Sequence, residues 1–148
     1  MPSPTRVKLK RFDTTLPAPS RKSPGAAALD LYARQTVVIE PHTVGYVPLN
    51  IALEPPEQCW VLLTARSSLH KKGLILANGV GVGDSDFSGD DDEYQAALLN
   101  FTDSPVVVER GERIVQFQLM KKVAMQLVEV EQMNNSNRGG FGSTGQYI

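Results

Sequence analysis

A carboxylate set directly after a ladder of glycines is the first place where this sequence suggests chemistry. The run Gly79-Val80-Gly81-Val82-Gly83 leads into Asp84-Ser85-Asp86-Phe87-Ser88-Gly89. Alternating glycines let a backbone approach a ligand closely and adopt dihedrals closed to other residues. Asp84 and Asp86 stand two apart, on one side of an extended chain, and Phe87 adds an aromatic face. Two readings stay open: a glycine-rich hairpin with turn aspartates, or a hairpin that grips a ligand and ends in a general base, Asp84. The same stretch touches the calcium-loop pattern. Gln95 stands where that pattern needs a bidentate Glu, and the flanks are not amphipathic helices, so the calcium reading is set aside.

Three more segments qualify. In Ala65-Arg66-Ser67-Ser68-Leu69 an apolar strand runs into a cation and two hydroxyls. This is either an anion site or a helix cap with Arg66 in solvent. Gly111-Glu112-Arg113-Ile114-Val115-Gln116 reads as a turn entering a strand. Arg138-Gly139-Gly140-Phe141-Gly142-Ser143-Thr144-Gly145 joins a cation, four glycines, an aromatic and two hydroxyls. Glycine N–H groups with Ser143 and Thr144 suit phosphate oxygens, and Phe141 suits stacking on a base. A solvated tail is the other reading. The segment has no P-loop lysine and no βαβ setting.

The elements that must position these residues are short apolar runs between turn signals. They predict strands at Val7–Lys10, Ala28–Tyr32, Thr36–Glu40, Val44–Pro48, Trp60–Thr64, Leu74–Ala77, Gln95–Asn100, Val106–Glu109, Ile114–Met120 and Met125–Glu131. Ser67–Lys72 is the single helical stretch. Spacing of about 8–12 residues between turn signals predicts an all-β sandwich, jelly roll or barrel. One domain over residues 1–133 is expected, with residues 134–148 as a mobile glycine-rich C-terminal arm.

Composition narrows the class. The 148 residues carry a formal charge of −1, which gives no general pull toward nucleic acid or an anionic membrane. Cys59 is the one cysteine and His42 and His70 are the two histidines, so neither a disulfide framework nor a Cys/His metal site is expected. No apolar run is long enough to span a bilayer, and the start lacks the apolar core of a secretory signal. The expectation is an intracellular protein, cytoplasmic or, in a eukaryote, nuclear.

Taken in order, the segments resemble the homotrimeric dUTPase family. The five matching motifs are Ala26–Ala33 with Asp30, Ala65–Leu69, Ala77–Gly89, Gly111–Gln116 and Gly139–Gly145. The resemblance implies a distorted jelly roll (a β-clip) that assembles as a trimer with shared active sites. It implies hydrolysis of dUTP to dUMP and pyrophosphate, which keeps uracil out of DNA and supplies dUMP for dTMP synthesis. Asp84 would activate the water that attacks the α-phosphorus. Asn78 and the backbone around Gly81 and Val82 would read uracil, and Phe87 would pack on the deoxyribose. Arg66, Ser67, Ser68 and Gln116 would hold phosphates. Phe141 would stack over uracil as the arm closes, with Arg138, Gly142, Ser143 and Thr144 toward the γ-phosphate. Mg²⁺ would sit mainly on the phosphates, with Asp30 reaching it through water.

The chain differs from that pattern in places. Six of the ten residues from Asp84 to Glu93 are acidic, and Asp90–Glu93 reads as a solvated insertion. Gly83 stands where a larger apolar residue is usual, and Ala28 where a glycine is. Arg138 stands three residues before Phe141 instead of five. Two alternatives are a dCTP deaminase-like enzyme, which motif five argues against, and a nucleotide-responsive interaction protein that uses the acidic insertion.

Overall fold

The computed structural model describes residues 2–145 and Tyr147. Eleven strands form among them: β1 Lys8–Arg11, β2 Leu29–Tyr32, β3 Val37–Ile39, β4 Val44–Pro48, β5 Ile51–Glu54, β6 Cys59–Ala65, β7 Leu74–Leu76, β8 Gly81–Gly83, β9 Gln95–Asn100, β10 Val106–Val108 and β11 Arg113–Lys121. Alternation explains most of them. Cys59, Val61 and Leu63 of β6 face inward, as do Ala96, Leu98 and Asn100 of β9, while the intervening residues are more exposed. This is the pattern of strands with one face on a core.

All pairings are antiparallel. The sheets run β2-β11-β6-β8, β4-β9-β7, β1-β5 and β10-β3. Leu31, Ile39, Val47, Val61, Leu74, Leu98 and Val115 are among the fully buried residues, drawn from different sheets. One core therefore joins them, in a jelly-roll-like, nearly all-β arrangement. Buried Asn100 is fully used. Its Nδ2 donates to the carbonyls of Ile39 (2.9 Å) and Ser104 (2.8 Å), and its Oδ1 accepts from Thr102 N (2.9 Å). It fixes the Thr102–Ser104 turn as a buried amide should, with no group unpaired.

The sequence-based expectations differ from the structure at four points. Ile51–Glu54 is a strand that a four-residue run immediately after β4 does not announce. The glycine ladder itself contributes β8. The helical stretch is only a 3₁₀ turn, Leu69–Lys72, closed by Gly73 at φ 91°. Met125–Glu131 forms no strand: β11 ends at Lys121, and Met125, Leu127 and Val128 are exposed. These residues have strand-like composition, but no neighbouring strand in this chain offers them a ladder.

Candidate active site

The order β2-β11-β6-β8 places four chemically rich segments in one sheet. Asp30 on β2 lies opposite Gln116 on β11, and Gln116 lies opposite Thr64 on β6. Arg66 follows at the end of β6. Its Nε lies 3.3 Å from Asp30 Oδ2, and Arg113 Nη1 donates to the same oxygen at 3.0 Å. Asp30 is only 7% exposed, so its charge is stabilised by these two guanidiniums. Arg66 Nη1 also donates to the carbonyl of Arg113 (3.1 Å), and Gln116 Nε2 reaches Thr64 Oγ1 and the Ala65 carbonyl, each at 3.3 Å. The result is a cationic, donor-rich patch in which one carboxylate orients two arginines. Ser67 and Ser68 are exposed beside it. Ser68 stands before the 3₁₀ turn, yet its side chain makes no capping bond, so the helix-cap reading does not hold.

The second half of the site is the hairpin. Gly79 turns it at φ 74°, a conformation other residues rarely adopt. Gly81 is needed for a different reason, because a Cβ there would come within 2.8 Å of Leu63 Cβ. Past the hairpin lies a cleft of about 450 Å³, lined by Asn78, Gly81, Val82, Gly83, Asp84 and Phe87, with Tyr94 at its wall. Asp84 is exposed there, and among the described residues its carboxylate accepts no hydrogen bond. The rings of Phe87 and Tyr94 meet edge to face, centroids 5.1 Å apart. A cleft of this size, part apolar and part polar with one open carboxylate, suits a small polar ligand with a flat apolar portion.

Comparison with known proteins decides the family. The dUTPase family model matches residues 14–145. The chain belongs to the dUTPase family. It is 36% identical over 142 residues to a SPbeta prophage-derived deoxyuridine 5'-triphosphate nucleotidohydrolase of Bacillus subtilis, covering 95% of this chain and 98% of that one. It is 38% identical over 143 residues to the deoxyuridine 5'-triphosphate nucleotidohydrolase of a Hydrogenobaculum species, covering 94% and 96%. The Streptococcus mutans dUTPase crystal structure aligns with a TM-score of 0.72 at 30% identity, over 80% of this chain and 98% of that one. A Staphylococcus bacteriophage 80alpha dUTPase mutant, solved with dUpNHpp, shares the fold at a TM-score of 0.83 and 22% identity, over 95% and 99%.

The acidic segment after the hairpin is solvated only in its first half, Asp90 and Asp91. Glu93 is not a solvated charge. Arg34 grips it through two N–H···O bonds of 2.7 and 2.8 Å, and the backbone N–H of Asn50 donates to it at 2.9 Å. Asp92 accepts from the Gly89 N–H at 2.8 Å, and Lys10 Nζ donates to the Asp90 carbonyl at 2.7 Å. Asp92 and Glu93 are therefore built into the molecule while the Asp90 and Asp91 side chains stay exposed, and the segment delivers Tyr94 to the cleft. A charge-run reading could not find this, because the partners lie 59 and 43 residues away.

The fifth dUTPase motif stands apart in the single chain. Arg138, Phe141, Gly142, Ser143 and Thr144 are exposed, and none of them lines the cleft. Phe141 holds φ 53°, and tight turns link Gly140 to Ser143 and Gly142 to Gly145. The remaining selected residues form two groups: Asp30, Arg66 and Gln116 with the neighbouring serines, and Asn78, Gly81, Val82, Asp84 and Phe87 around the cleft. Arg113 and Tyr94 are additions. Arg113 lies within motif four, where nothing local marks it as a partner of Asp30. Burial, then the Asp84 charge, then that of Asp92 push the Tyr94 phenol up to about 12, so it is a hydroxyl donor at neutral pH.

Proposed function

We propose that this chain is a dUTP diphosphatase, which hydrolyses dUTP to dUMP and pyrophosphate. One observation carries the reading: motifs one, four and three lie on strands β2, β11 and β8, and motif two starts at the end of β6, all in the one sheet β2-β11-β6-β8. A cationic patch and an open carboxylate beside a nucleoside-sized cleft thus belong to one framework. Membership in the dUTPase family and relatives named as deoxyuridine 5'-triphosphate nucleotidohydrolases support the same reaction.

In this reading Asp84 accepts a proton from a water as its oxygen bonds to the α-phosphorus. The bond from that phosphorus to the α–β bridging oxygen breaks, and pyrophosphate leaves. Asn78 and the backbone at Gly81 and Val82 read the uracil edge. The close fit leaves no room for a thymine methyl, and cytosine presents the wrong donors. Phe87 packs on the deoxyribose. Arg66, Ser67, Ser68 and Gln116 hold phosphate oxygens, with Asp30 fixing Arg66. The arm closes over the ligand, with Phe141 on the base and Arg138, Gly142, Ser143 and Thr144 at the γ-phosphate end, and so excludes bulk water.

Two further parts belong to this proposal. The chain works as a homotrimer in which copies share active sites, which would give the arm and the exposed 123–133 segment a surface to cover. The cofactor is Mg²⁺. Among the described residues no three carboxylates, histidines or cysteines cluster to form a cage, which fits a cation carried by the phosphates. Asp30 suits a water-mediated contact: Oδ2 takes both arginines, and Oδ1 accepts no hydrogen bond among the described residues. Bound Mg²⁺ would neutralise phosphate charge as the leaving group departs. The same reading places the protein with the deoxynucleotide pool inside the cell, in cytoplasm or, in a eukaryote, nucleus.

The test is pyrophosphate release from dUTP with Mg²⁺, run beside dCTP, dTTP and UTP. Selective release from dUTP is expected. Asp84→Asn should lower turnover about 10³-fold while leaving nucleotide binding intact, within the range for losing a positioned base. Equal release from all four nucleotides, or an Asp84→Asn variant at full rate, overturns the reading.

A further inference from the structure

Tyr94 is 6% exposed, and among the described residues its hydroxyl has no hydrogen-bond partner. A buried hydroxyl left unpaired is costly, and where one persists it asks for an explanation. Its position narrows the choice. The hydroxyl occupies the place where a side chain on residue 83 would begin, and a Cβ on Gly83 would overlap it. The next residue in the chain is Asp84, whose carboxylate is also unpaired. The other nearby carboxylates are engaged: Glu93 by Arg34 and Asn50, and Asp92 by Gly89. Asp86 does not line the cleft; it lines a second hollow with Ser88 and Lys122, and Asp84 borders both. An unpaired donor and an unpaired acceptor thus flank one glycine.

We propose that Tyr94 is a positioning residue for Asp84: its hydroxyl donates to the Asp84 carboxylate when the cleft is loaded, fixing the carboxylate toward the attacking water. The absence of a side chain at Gly83 is what lets this hydroxyl reach the hairpin. Folding of the Asp90–Glu93 segment, through Arg34–Glu93 and Asp92–Gly89, is what carries Tyr94 there. The Asp84 charge already acts on the phenol, second only to burial. The inference rests on Asp84 being the base.

Tyr94→Phe removes only the hydroxyl and keeps the edge-to-face contact with Phe87. Steady-state dUTP hydrolysis would be compared for wild type, Tyr94→Phe, Asp84→Asn and the double variant. Expected for Tyr94→Phe is a fall in kcat of about 5- to 20-fold with KM within about 2-fold, as for an interaction made only in the transition state. In the Asp84→Asn background the same change should have no further effect, because no base is left to position. The melting temperature of Tyr94→Phe should equal or exceed that of wild type, since a buried unpaired group is removed. A wild-type kcat in Tyr94→Phe, or an equal loss in both backgrounds, overturns the positioning role while Asp84→Asn still reports on the base. Full turnover in Asp84→Asn fails the parent reading instead.

Discussion

The cleft and the C-terminal arm are both rich in glycine, yet they are built in opposite ways. In the cleft each glycine answers a steric demand from a named neighbour: Leu63 against Gly81 and Tyr94 against Gly83. In the arm, a Cβ at Gly140 or Gly142 would meet nothing within 4 Å. Phe87 is packed against Tyr94, whereas Phe141 is fully exposed. At Gly81 and Gly83 the missing side chain makes room for a packed neighbour, whereas Gly140 and Gly142 face open space. On the proposed function, this difference is that of a preformed floor and an arm that closes as a lid when nucleotide binds. Preformed floors hold reacting groups in place, and late lids exclude water without trapping product.

Removing the arm, the proposed lid, should expose this contrast most sharply. A chain ending at Met133 should lose about 10²-fold or more in kcat/KM for dUTP, the scale for losing transition-state donors. Its melting temperature should stay within about 2 °C of the full chain, because the last strand ends at Lys121. A large loss of stability would mean that the arm is part of the packed body and that the contrast is false. Glu93→Ala should do the reverse. It strands Arg34 and leaves the Asn50 N–H without its acceptor, and losing charge-assisted hydrogen bonds in a half-buried setting costs about 1.5–3 kcal/mol. Urea denaturation would read it, and a change below about 1 kcal/mol would show that the acidic segment is solvated after all.

The glycine at the cleft wall gives a finer cut. Gly83→Ala puts a methyl onto the Tyr94 hydroxyl, so overpacking of about 1–3 kcal/mol is expected. Gly140→Ala meets no neighbour and should leave stability unchanged. Thermal melts of the two variants would test whether the same substitution has these two different outcomes. Equal melting temperatures would remove the claim that the cleft glycines are sterically fixed.

These residues also mark where the sequence was legible. Alternating burial made β6 and β9 readable from their apolar period, and motif order made the four-segment site readable before any strand was paired. Tyr94 was not readable, since its role depends on a bare backbone at Gly83 and on an ion pair spanning 59 residues. Arg113 was hidden for a similar reason: its partner Asp30 lies 83 residues away and only strand pairing brings them together. Met125–Glu131 was misread because a strand-like composition says nothing about whether a partner strand exists. Local pattern identifies elements, and long-range pairing decides which charges and hydroxyls have partners.

The smallest expected effect concerns the N-terminal loop, which is exposed like the arm but tied like the cleft. Asp13 accepts from the Thr15 N–H at 2.9 Å and from Arg110 Nη2 at 2.7 Å, and its own backbone N–H donates to Asn50 Oδ1. Hydrogen bonds from Thr15 and then Arg110 lower its carboxyl from 3.8 to about 2. A carboxyl depressed on folding stabilises the folded chain at pH values above its unfolded value. That contribution is full above about pH 4 and is lost as pH falls through about 2. Asp13→Asn should therefore melt below wild type at pH 6 and converge with it toward pH 2. The same convergence should appear in the chain ending at Met133, because every tie of Asp13 lies in the packed body. A gap between Asp13→Asn and wild type that is constant from pH 6 to pH 2 would mean the loop is held by its backbone bonds to Asn50 alone, and that the Asp13 carboxylate adds no order there.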